Sequence, residues 1–223
     1  MMYTISLKLK PETYQQFQNI QQKLNAGDRE AQAKPLGETL AKISCEVIDQ
    51  AFGQISSTGS SDKDSQKVLN QVKDAMMKYM PWSVSFFGND RLIPLVNHLN
   101  QHAIHEKEGQ AYISYQVEKV IVNELLGCVE KLKEGQNQYI QPGLKAFIKV
   151  VDQGVTSLIR EPKKMLKFNM VVDKTLNGVI NLTTQLGYKR FEKLSTMYDA
   201  QRIGGYFDHF LVFLDKDANN KAS

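Results

Sequence analysis

Residues 110–133 read QAYISYQVEKVIVNELLGCVEKLK. Ile113, Val117, Val120, Ile121, Leu125, Cys128 and Leu132 recur mainly at steps of three and four, the spacing that lines up one face of an α-helix. Gln116, Glu118, Lys119, Asn123, Glu130 and Lys133 fall on the opposite face, as a half-buried helix requires. Burying that stripe contributes on the order of 10 kcal/mol gross. Ordering the backbone costs about 1–2 kcal/mol per residue, so the helix needs partners.

The rest of the chain supplies them. Apolar residues recur at helical spacing through Tyr14, Phe17, Ile20 and Leu24, and again from Leu40 to Ile55. They return over 65–80, from Leu92 to Ala103, from Leu144 to Ile159 after Pro142, and from Leu166 to Leu186 after Pro162. Pro81 is expected to end the helix before it, Gly187 to break the one containing it, and Gly204-Gly205 to form a turn before a helix over 206–215. Tyr3, Ile5, Leu7 and Leu9 alternate with polar residues, the mark of a strand with one buried face. Trp82, Val84 and Phe86 alternate likewise. The expected fold is mainly α: a multi-helix bundle of seven to nine helices with one or two short strands, 2–9 and, as the second candidate, 82–87.

The Gly/Ser-rich stretch near residue 60 suggests a boundary. The expected organisation is a strand-helix-helix subdomain at 1–57, a linker at 58–65, a helical bundle at 66–214 and a flexible tail at 215–223, with one undivided domain as the alternative. Of 223 residues, 42% are hydrophobic and 23% charged, which excludes wholesale disorder and leaves ample material for a core. No apolar run approaches the roughly 18 residues of a membrane span, and the first residues lack a signal-peptide core. A cytoplasmic location is expected, with Cys45 and Cys128 as small buried hydrophobes.

Four features bear on function. Arg160, Lys163, Lys164, Lys167 and Lys174 begin a basic segment: residues 160–202 hold nine Lys/Arg against four acids, a local +5 within a net +4 that leaves −1 elsewhere. Cations after Pro162, at an expected helix start and interleaved with Phe168, Tyr188 and Phe191, suit phosphates, an anionic membrane surface or an acidic partner. His98, His102 and His105, with Glu106, follow one another along an expected helix, and His98 with His102 has the i, i+4 spacing of a shared metal. Asp215, Asp217 and Asn219 imitate a calcium loop but lack its glycine and closing glutamate. No phosphate loop, dinucleotide fingerprint, nucleophile elbow or CxxC is present.

The N-terminal order of strand, helix, loop and helix resembles the ribbon-helix-helix DNA-binding family. That resemblance implies a strand paired with its copy across a dimer, with Thr4, Ser6 and Lys8 facing the DNA major groove. The leading expectation is a non-enzymatic regulatory or adaptor protein, without cofactor, that binds a protein or polyanionic partner through the basic helix face. The alternatives are a dimeric DNA-binding regulator using the N-terminal unit, and a metal- or small-ligand-binding helical enzyme using His98 and His102. A homo-oligomer fits any of these, and the sequence neither marks nor excludes an apolar cavity inside the bundle.

Overall fold

The alternation at the N-terminus does produce a strand, β1 (Met2–Lys8), with Ile5 and Leu7 turned into the core. The computed structural model describes residues 2–57 and 63–215, the side chains of 54–57 excepted. Pro11 opens α1 (Pro11–Asn25), where its missing N–H costs nothing. Gly27, at φ 72°, turns the chain towards α2 (Ala33–Ser57). Then follow α3 (Lys63–Val84) and α4 (Asn89–His102), the strands β2 (Ile104–Lys107) and β3 (Gln110–Glu118), and α5 (Lys119–Lys133). A 3₁₀ turn at Asn137–Tyr139 leads into α6 (Ile140–Val155), which runs through a π-helical turn at Thr156–Arg160 into the single-turn α7 (Glu161–Met165). The long α8 (Met170–Leu194), α9 (Ala200–Leu211) and a short β4 (Leu214–Asp215) complete the described chain, which is mainly α as expected.

The sheet has the order β2-β3-β1-β4 and is antiparallel throughout. It corrects the reading of residues 110–133. Gln110–Glu118 is a strand, and only the second half of the stretch is helix. Ala111, Ile113, Tyr115 and Val117 carry a period of two as well as their part of the helical stripe, and pairing with β1 decides between them. The β2–β3 turn at Glu108-Gly109 has both residues at positive φ, 54° and 75°, as a tight hairpin demands. Val120, assigned to the buried stripe, is 68% exposed, whereas Val117 and Leu125 are fully buried.

Three further boundaries differ. Residues 82–87 are not a strand: α3 continues through Pro81 to Val84. Gly204-Gly205 lies inside α9, where Gly204 brings that helix close to Leu132 of α5. The helix expected from Pro162 breaks at 166–169, with Lys167 at φ 47°, and then passes through Gly187 without interruption. Arg91 secures that break by donating from Nη2 to the carbonyls of Leu166 and Lys167.

One continuous core cluster includes Ile5 and Phe17 near the N-terminus, Leu125 and Phe147 mid-chain and Phe210 near the end. Gln50 of α2 donates to and accepts from the backbone of Lys8, and Glu46 accepts from the Lys10 N–H at 2.9 Å, so α2 clasps the end of β1. Most of the expected 58–65 linker and all of the 215–223 tail beyond Asp215, including Asp217 and Asn219, lie outside the described residues.

Candidate functional site

The described helices flank an apolar cavity of about 280 Å³ that is open in part to the surface. Its floor is the inner face of the sheet, at Leu7, Ile113 and Tyr115. Its walls are α2, α3, the α6–π-turn–α7 segment and α8. Helical spacing explains why the lining is apolar: α2 presents Ile43, Val47 and Ala51, and α8 presents Leu176, Val179 and Ile180. Val47, Val72, Leu158 and Val179 are only half-buried because they look into the void.

Polar clusters close the ends. At one, Asp152 accepts from the Tyr188 hydroxyl at 2.8 Å and from Arg160 Nη1 at 2.9 Å, and Arg160 also reaches Thr156. Burial first, and then the bond to Asp152, hold the Tyr188 phenol well above its ordinary range. At the other, Lys163 pairs with Asp173 and lies 5.9 Å from the centre of the Phe168 ring, which packs on Phe87. The π-helical turn lies between these clusters, and such turns often mark functional positions in helices.

The basic segment is largely neutralised from within. Arg160 pairs with Asp152, Lys163 with Asp173 and Lys164 with Glu161. Lys163 and Lys164 do not sit at a free helix start, because α7 continues the helical backbone of the π-turn and α6. Backbone N–H groups there are consumed within the helix, which removes the dipole argument for an anion site. Lys167 and Lys174 are exposed.

β1 pairs with β3 along its whole length and with β4 at Thr4 and Ile5. A strand paired on both edges cannot also pair with its copy, which argues against the ribbon-helix-helix arrangement. Thr4 and Ser6 are half-buried, Ser6 sharing a hydrogen bond with Ser114, while Lys8 is exposed.

His98 and His102 lie side by side on α4, 4.8 Å between ring centres with the rings tilted at 48°. Burial, and then the charge of His102, lower the pKa of His98. His105 is not on that helix; it lies on β2 against Tyr112. Among the described residues no group of three or more His, Cys, Asp or Glu gathers to hold a metal. Cys45 and Cys128 are both unpaired, and burial raises the pKa of each thiol. Among the described residues no helix is long and apolar enough to cross a membrane.

Sequence reasoning did not find the cavity residues. Their apolar character was visible, but the distance between the faces that carry them was not. No protein family, no curated protein and no solved structure matches the chain.

Proposed function

We propose that the protein acts by binding, without catalysis, and that its ligand is a small apolar molecule held in the central cavity. The observation that carries this reading is the 280 Å³ space with an almost wholly hydrocarbon wall. Dry apolar cavities of about 150 Å³ take up benzene, so this one suits about twelve non-hydrogen atoms. A regulatory or carrier role in the cytosol is consistent with the two unpaired cysteines.

The test uses 1-naphthylamine, a small neutral fluorophore whose emission moves to the blue in apolar surroundings. Saturable binding near one per chain is expected, and Gly187→Leu should abolish it. Gly187 lines the cavity, and a Cβ there meets nothing within 4 Å. Replacing a mid-helix glycine also strengthens the helix, by up to about 1 kcal/mol, so lost binding with retained stability means occupied space and not unfolding. Unsaturable binding, or binding indifferent to Gly187→Leu, overturns the reading. A second reading, contact with an anionic partner through Lys164, Lys167 and Lys174, is favoured by the exposure of all three. It predicts salt-sensitive polyanion binding that Lys167→Glu and Lys174→Glu reduce.

A further inference from the structure

Buried polar groups are almost always hydrogen-bonded, so a polar side chain in an apolar wall can be asked where its bonds go. Around this cavity nearly every answer is internal. Ser44, Ser83, Thr183 and Thr184 turn their hydroxyls back onto carbonyls of their own helices, at 2.8–2.9 Å. Tyr188 donates to Asp152, Lys163 pairs with Asp173, and Arg190 Nε donates to Ser65 at 2.7 Å. Tyr79 is half-buried beside Trp82.

Tyr115 is the exception. It is 6% exposed and lines the cavity, no hydrogen bond among the described residues uses its hydroxyl, and that oxygen is not sealed off but meets open space. Its position is fixed from both sides. The backbone pairs with Ile5 across the sheet, and the far end of the ring lies on Gly154 of α6 so closely that a Cβ there would stand 2.8 Å from Cζ. A glycine is therefore needed at 154, and the ring cannot swing away. Burial holds the phenol protonated well above its ordinary range, so it is a neutral donor.

We infer that the ligand carries a neutral oxygen acceptor, a carbonyl or ether-type group at one end of a hydrocarbon body, and that Tyr115 donates to it. This rests on the cavity being a ligand site. A carboxylate is poorly matched, because the cationic side chains in the wall, Lys163 and Arg190, already have partners. An ionised head group would be buried without compensation.

The experiment measures displacement of 1-naphthylamine by 2-undecanone, n-undecane and decanoate, from the wild type and from Tyr115→Phe. Loss of one neutral hydrogen bond should weaken the ketone about fivefold in Tyr115→Phe and leave undecane within about twofold. In the wild type, the carbonyl stretch of bound 2-undecanone should lie below its position in hexane, a readout that needs no variant. An unshifted stretch, a ketone affinity unchanged by Tyr115→Phe, or decanoate binding more tightly than the ketone at neutral pH overturns the inference while leaving the cavity reading intact. If the fluorophore itself does not bind the wild type, the cavity reading falls, and the inference falls with it.

Discussion

Two halves of this bundle use the same amphipathic pattern and reach opposite packing. Around Phe147 the rings of Phe52, Phe191, Phe207 and Phe210 lie with centres 6.1, 5.3, 5.3 and 4.8 Å away, mostly edge to face. The void beside that cluster is about 10 Å³, at the lower limit for a single water. Between α3 and α8 the space is about 280 Å³. Glycines separate the halves further. A Cβ at Gly143 would meet Phe207 at 2.8 Å and one at Gly204 would meet Leu132 at 3.4 Å, whereas Gly187, on the cavity wall of α8, has nothing within 4 Å. Small residues let α5, α6 and α9 approach closely, while Gly187 on α8 leaves room. The periodicity of a sequence thus sets which faces turn inward, and residue size at the crossings sets whether those faces meet.

The sharpest way to break this contrast is to delete a wall residue from each half. Phe147→Ala should cost about 3–5 kcal/mol, the usual range for a close-packed aromatic. Val179→Ala should cost less than about 1 kcal/mol, because its side chain already faces open space. Urea denaturation of both variants decides it, and similar losses would mean that the α8 side is packed in solution. A smaller pair sharpens the glycine argument. Gly143→Ala should destabilise by about 1–3 kcal/mol through overpacking against a ring that cannot retreat, while Gly187→Ala should stabilise by up to about 1 kcal/mol.

Titration probes the hollow half by itself, since Tyr115 and Tyr188 both belong to the cavity wall and both have phenol pKa values raised chiefly by burial. In the unfolded chain a phenol releases its proton near pH 10. Below that pH both states hold the proton and stability is unaffected. Above it the unfolded chain loses protons that the folded chain keeps, so stability falls by up to about 1.4 kcal/mol per pH unit for each tyrosine. Denaturation between pH 9 and pH 11.5 should show a slope that is shallower in Tyr188→Phe than in the wild type. A wild-type slope unchanged by that substitution would place Tyr188 in solvent.

How much of this could be read from residues alone follows from the range of each interaction. Helical stripes such as Phe17–Ile20–Leu24 are local, and the helices appear where the spacing puts them. The strand at Gln110–Glu118 was hidden because Ile113 and Val117 fit a period of four as well as a period of two, and only pairing with β1, more than a hundred residues away, selects the second. A glycine inside a helical stripe, such as Gly154, carries only a propensity cost on its face; its role appears only when the Tyr115 ring is laid on it. The internal pairing of the basic segment was hidden for the same reason. Asp152 lies outside the 160–202 window, yet it meets Arg160 and Tyr188 in space.

The smallest expected effects concern two neighbouring lysines on the hollow side. Lys164 and Glu161 form an exposed i, i+3 pair, with side chains 67% and 52% accessible. Such pairs contribute little, because water and salt screen the attraction and ordering two long side chains opposes it. Lys163 leaves only 13% of its side chain accessible, pairs with Asp173 across the break between α7 and α8, and lies beside Phe168. Lys164→Gln should therefore change stability by less than about 0.5 kcal/mol, and Lys163→Gln should cost about 1 kcal/mol more, since it leaves the Asp173 carboxylate without its cation. If half-molar salt reduced the Lys163 effect as far as it reduces the Lys164 effect, the Lys163–Asp173 contact would be a solvent-screened surface pair. The polar ties of α8 across the cavity would then reduce to Tyr188 with Asp152 and Arg190 with Ser65.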